Sequence, residues 1–125
     1  MEDFNLTENL TEDKRRYKRA ESRLPVEYKD LRKSGALPRG SLTRNISEGG
    51  ICFQSNEFMS LACRLVVEIT LPNVPKPVKA ISKIAWIRRL PSNDMYELGN
   101  QFLEMAKEDR AHVVDFISKV LNPST

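Results

Sequence analysis

Apolar and polar residues alternate with a period of two along most of this chain, and near the C-terminus the period lengthens to about 3.6. Leu24, Val26 and Tyr28 alternate with Arg23, Pro25 and Glu27, which predicts a half-buried strand over 22–28. Pro25 within it implies an edge or a bulge, because proline cannot donate to a ladder. Residues 29–39 contain Ser34-Gly35 and Pro38 and predict a loop. Further strands are predicted over 40–45, 51–53, 65–71, 78–89 and 95–103. The clearest is 65–71, where Leu65, Val67, Ile69 and Leu71 share one face. Pro72, Pro75 and Pro77 mark one turn, and the run Pro91-Ser92-Asn93-Asp94 marks another. Val113, Phe116, Ile117, Val120 and Leu121 then recur at three- and four-residue spacing, one face of an amphipathic helix over 106–121. Glu108 and Asp109 sit in its first turn, where carboxylates complement the helix dipole, and Asn122-Pro123 ends it.

Strands separated by Gly/Pro turns and followed by one helix predict a mainly β fold. Its expected form is a small six-stranded antiparallel β-barrel with a C-terminal α-helix packed on it. The chain has 125 residues, the size of one domain, and 40% hydrophobic with 30% charged residues places it among soluble globular proteins. The expected organisation is an acidic leader over 1–13 and one domain over 14–122, made of a basic arm (14–21), the barrel (22–104) and the helix (106–121). No apolar run is long enough for a spanning helix, and the acidic N-terminus lacks the layout of a signal peptide. A cytoplasmic location is therefore expected.

Charge changes the picture, because it is unevenly spread. The net charge is only +3. Residues 1–13 carry five acids and no base, whereas 14–44 carry eleven bases and three acids. The remainder balances at nine of each. A local cationic segment is what an anion site needs. Candidate catalytic chemistry is thin. The single histidine, His112, falls in the helical pattern, and Cys52 and Cys63 show no Cys-x-x-Cys spacing, so both are expected as reduced, packed thiols. Gly49-Gly50 leads into the apolar run Ile51-Cys52-Phe53 and not into a Lys-bearing phosphate loop. Neither an enzyme nor a metal site is expected.

Two short signatures carry the candidate chemistry. Arg15-Arg16-Tyr17-Lys18-Arg19 sets two guanidiniums four positions apart, and Asn45-Ile46-Ser47-Glu48-Gly49-Gly50 reads Asn-apolar-Ser-x-x-Gly. In this order they resemble the RxxxR and [DN]xSxxG motifs of PilZ domains, bacterial receptors for cyclic diguanylate (c-di-GMP). The resemblance runs from about Lys14 to the C-terminal helix. It implies that Arg15, Arg16, Arg19, Asn45, Ser47 and Gly50 line a ligand pocket, with Lys14 and Trp86 as further candidate members. The chemistry is apt. An Arg fork matches both phosphate and the adjacent O6 and N7 acceptors of guanine. Asn45 offers donors and an acceptor to a base edge, Ser47 a hydroxyl, and Gly50 a backbone that a ligand can approach. Lys14, beside Arg15, lacks a planar fork, so one or two ligands remain open. Trp86 by alternation shares a face with Ile84, which predicts core packing; stacking on a base is the other reading. Leu98-Gly99 and Phe102-Leu103 are expected as packing positions of the last strand.

The resemblance implies a c-di-GMP receptor without a cofactor that changes conformation on binding and regulates a protein partner in trans. The leader's Glu8, Glu12 and Asp13 stand just before the arm, as an inert tail or as a weak competitor for its cations. One rival is a small basic barrel that binds nucleic acid. Against it, only Tyr17 and Tyr28 interleave with the basic stretch, too few for a stacking platform. The other rival is a PilZ-like adaptor that binds protein only.

Overall fold

The computed structural model describes residues 18–33 and 35–123. The leader over 1–13, Lys14, Arg15 and Arg16 lie outside the described residues. Among the described residues seven strands are formed: β1 (Arg19–Glu21), β2 (Pro25–Asp30), β3 (Arg39–Ser47), β4 (Gly50–Ser55), β5 (Arg64–Ile69), β6 (Val78–Arg89) and β7 (Tyr96–Met105). They are followed by a helix, α1 (Lys107–Leu121). All pairings are antiparallel. From β3 the sheet runs through β2, β5, β6, β7 and β4, and β4 pairs back onto β3. Six strands thus close a barrel, which removes the open edges a sheet of this size would present. β1 is the seventh and lies outside the closed ring, against β3.

The inward positions form the core. Val26 and Tyr28 of β2, Ile46 of β3, Ile51 and Phe53 of β4, and Leu65, Val67 and Ile69 of β5 are all buried, with Val78, Ala80 and Ile84 of β6 and Leu98 of β7. Tyr28 and Phe53 stack at a tilt with centroids 4.7 Å apart. The polar atoms inside are paired. The Tyr28 hydroxyl donates to Ser55 Oγ at 2.8 Å, and Ser82 Oγ lies 3.0 Å from Asn100 Oδ1. The helix turns Val113 and Ile117 onto the barrel and packs across β1, β3 and β6. Asp109 Oδ2 accepts from the Lys79 amide, and Arg110 donates to the Glu48 carbonyl, so the helix is tied to the β3–β4 turn. Val120 and Leu121, expected on the buried face, are more than a third exposed.

Three differences from the expected elements share one cause, the β-bulge. The strand expected over 22–28 begins only at Pro25, as β2; residues 22–24 are a connection, and a separate short strand, β1, forms before them within the expected arm. β3 has a register shift between Thr43 and Asn45, so the ladder is broken where residues 22–24 pass it. Thr43 holds that passage, accepting from the Leu24 amide at 2.9 Å and donating to the Ser22 carbonyl at 2.5 Å. On β6 a shift between Ile84 and Trp86 makes Ala85 the extra residue. Beyond it Ile87 packs toward the core and Trp86 turns outward, 38% exposed, which corrects the core-packing expectation for Trp86. On β7 Leu103 is skipped in the pairing and is exposed, unlike its buried neighbour Phe102, so it is not the packing position expected.

Phe53 is fully buried against Tyr28 at the barrel centre, so Phe53→Ala is expected to cost about 3–5 kcal/mol of unfolding free energy. Urea denaturation checks this, and a loss below about 1 kcal/mol would contradict the packing described.

Candidate functional site

The sequence signatures meet on the outer surface of the barrel. Cross-strand partners point to the same side, and the lane Ala20, Ile46, Ile51, Asn100, Ile84 is buried throughout, so it points in. The lanes on either side therefore point out. One runs Arg19, Ser47, Gly50, Gln101, Lys83 across β1, β3, β4, β7 and β6. Next comes Glu21, Asn45, Cys52, Gly99, Trp86. A third has Gln54, Glu97 and Arg88, and Arg44 reaches it from the β3 bulge. Successive lanes stand two residues apart along each strand, about 7 Å. Arg19 from the first signature thus faces Ser47 from the second, with Asn45 one lane away. Arg15, Arg16 and Lys14 lie outside the described residues.

Each residue has a local reason for its position. Ser47 Oγ accepts from the Gly49 amide at 3.1 Å and donates weakly to the Gly50 carbonyl, so the hydroxyl shapes the tight β3–β4 turn. Asn45 has no side-chain partner among the described residues, and Arg19 is exposed without a salt bridge. Gly50 has a sharper requirement than ligand access. A Cβ there would stand 1.9 Å from the Asn100 carbonyl oxygen, so glycine permits the close approach of β4 and β7. Gly99 does the same for Trp86: a Cβ would lie 2.1 Å from the indole, so the ring rests on the bare backbone. The face between motif and tryptophan is floored by Cys52, with Gly99 lying under the indole. At the end nearer the helix a groove of about 320 Å³ opens between Lys18, Glu48 and the Val114–Leu121 side of α1.

Electrostatics on this face are organised by Glu97. It is buried, yet Arg44 Nη1 donates to its Oε2 at 3.0 Å and Arg88 Nη2 to its Oε1 at 2.5 Å. Burial together with the Glu97 carboxylate pushes the Cys52 thiol up to about 12, although Arg44 and Arg19 pull the other way. The Arg19 charge thus acts on the same patch. Cys63 lies elsewhere, 3.6 Å from Asp30 Oδ2, and its thiol is also raised by burial. Both cysteines are free thiols. Among the described residues no cluster of His, Cys, Asp or Glu is arranged to hold a metal, and no helix is long and apolar enough to cross a membrane. Arg44, Cys52, Arg88, Glu97 and Gly99 were not expected at the site. Their place depends on two bulges and on strand order, which no local pattern reveals.

The PilZ domain profile matches residues 13–119. This chain belongs to the PilZ domain family. No curated protein matches the PilZ chain significantly in sequence. Among solved structures, the Bacillus subtilis inhibitor of motility MotI/DgrA superposes with a TM-score of 0.71 at 18% identity, over 87% of this chain and 51% of that one. The c-di-GMP-bound PilZ domain of YcgR from Escherichia coli gives 0.66 at 12%, over 87% and 92%. The K. pneumonia MrkH–c-di-GMP complex gives 0.62 at 15%, over 86% and 53%. The chain thus spans about half the length of MotI/DgrA and MrkH and nearly all of the YcgR domain. These likenesses establish the PilZ barrel as its fold.

Two outcomes are expected from the site geometry alone. Gly50→Ala forces β4 and β7 apart and is expected to cost about 1–3 kcal/mol without any ligand, seen as a lower melting temperature. An unchanged melting temperature would show that the strands yield freely. The Cys52 pKa is raised in the folded state from an ordinary 9.0 to about 12, so folding favours the protonated thiol. Stability from this group is complete below pH 9 and is lost as pH rises toward 12. In the native protein at pH 8, Cys52 is expected to resist iodoacetamide, with peptide mapping as the check; rapid alkylation would contradict its burial.

Proposed function

We propose that this outer face binds cyclic diguanylate and that the chain is a receptor acting on a protein partner in trans. The observation that carries the reading is the pairing of Arg19 with Ser47, which brings the two signatures into one lane beside an unpartnered Asn45. Relatives of the same fold whose structures hold c-di-GMP support it. Arg15, Arg16 and Arg19 would supply guanidiniums to phosphate and guanine, Asn45 its amide to a base edge, and Trp86 an exposed ring at the far side. Ser47 and Gly50 would act mainly by shaping the hairpin. Lys14 would add charge and no fork. Binding would tighten the arm, whose Arg19–Glu21 end is already paired with β3, against the β3–β4 hairpin and so change the surface presented to the partner.

Calorimetric titration with c-di-GMP at about 0.15 M salt is the test, with GTP and a short single-stranded DNA as controls. Arg19→Ala is expected to weaken c-di-GMP binding by about 1.5–3 kcal/mol, at least tenfold. Unchanged affinity would remove Arg19 from the site. Salt-sensitive DNA binding without dinucleotide binding would replace the receptor reading with a nucleic-acid one, and silence from all three would leave a protein-only adaptor.

A further inference from the structure

We infer that Arg44 and Arg88, held on either side of the buried Glu97 carboxylate, read the O6/N7 edge of one guanine and so set the preference for guanine over adenine. The inference rests on the receptor reading above and extends it to residues outside both signatures. Glu97 is 3% exposed in its side chain, whereas Arg44 and Arg88 are 57% and 61% exposed. Each guanidinium places one terminal nitrogen on the carboxylate, which leaves its other N–H donors toward solvent. The two forks are therefore fixed before any ligand arrives, and little side-chain freedom is left to lose on binding.

Position and charge together favour a base edge over a phosphate. The Arg44–Glu97–Arg88 group lies one lane beyond Asn45, Gly99 and Trp86, and two lanes, about 13 Å, beyond Arg19. A planar base over Cys52, beside the exposed indole of Trp86 that covers Gly99, would direct an edge toward this group. Phosphates are served better in the Arg19 lane, next to the basic arm. Glu97 also cancels one of the two positive charges, so the group carries a net +1 and a dianion gains less there. A neutral paired acceptor such as guanine O6/N7 loses nothing by this. Adenine presents N7 with an amino donor instead, and that donor would face guanidinium N–H groups. Glu97 acts here as a positioning residue.

The test titrates the full chain and its Arg44→Ala, Arg88→Ala, Arg44→Lys, Arg88→Lys and Glu97→Gln variants with c-di-GMP and with cyclic diadenylate. Both arginines are surface-exposed, and melting temperatures near wild type confirm folding of the variants. Each alanine variant is expected to lose about tenfold or more in c-di-GMP affinity while the weaker diadenylate binding is unmoved, so discrimination narrows. The lysine variants keep the ion pair with Glu97 and are expected not to restore discrimination, because an ammonium lacks the fork. Glu97→Gln is expected to narrow it as well, a ratio that a purely structural role would leave alone. If both alanine variants bind c-di-GMP like wild type while Arg19→Ala fails, the inference is wrong and the receptor reading stands. Equal loss of both dinucleotides would also overturn it, in favour of phosphate contact. Absence of c-di-GMP binding by the wild type would remove both readings together.

Discussion

The arrangement depends on one strand that serves three neighbours. β3 pairs with β4 along its second half, which closes the barrel, and with β2 along its first half. Its other edge near the C-terminal end takes β1. Closure through β3 holds Ile46 inside while Asn45 and Ser47 face out, and it sets Arg19 opposite Ser47. Without the β3–β4 pairing the core would be open along one side, and the two signatures would have no common surface. A nine-residue strand does all this because it bends at one bulge, between Thr43 and Asn45.

Bulges also decide which chemistry faces outward. In an unbroken strand Trp86 would follow Ile84 into the core, where an indole N–H would need a buried partner. The extra residue Ala85 places Ile87 inward and lays Trp86 on Gly99. On β3 the irregularity frees Arg44 to reach Glu97 on β7, far along the sequence. Two single-residue insertions therefore separate an ordinary apolar barrel from one with an aromatic ring and two oriented guanidiniums on its outer wall.

Legibility in the sequence followed the same division. Where strands run without interruption, period two was enough: Leu65, Val67, Ile69 and Leu71 are all buried as the alternation indicates. The helix was legible from its spacing, its acidic first turn and its Asn-Pro stop, although Val120 and Leu121 stay more than a third exposed. The family was legible from two short signatures and agrees with the profile over 13–119. Trp86, Leu103 and the break at 22–24 were not, since alternation carries no mark of a skipped residue. Gly50 was noticed for ligand access alone, and the structure adds a second constraint. Its backbone is crowded by Asn100 across the sheet, a contact that only strand order creates.

Glu97 is the one charged side chain among the described residues that is buried. A carboxylate taken out of water loses hydration that ion pairs repay only in part, and an apolar residue in its place would often be as stable or more so. Stability is therefore a weak reason for its presence in so small a barrel. Its pairing is also peculiar in form: two arginines from different strands converge on it from the exposed side, and both keep more than half of their surface in solvent. A device for stability alone would bury the donors with the acceptor. What the arrangement does supply is orientation, two forks fixed on a surface that already carries Asn45, an exposed indole and the Arg19 charge. A binding face gains most from this, because the order is built in during folding and need not be created when a ligand arrives.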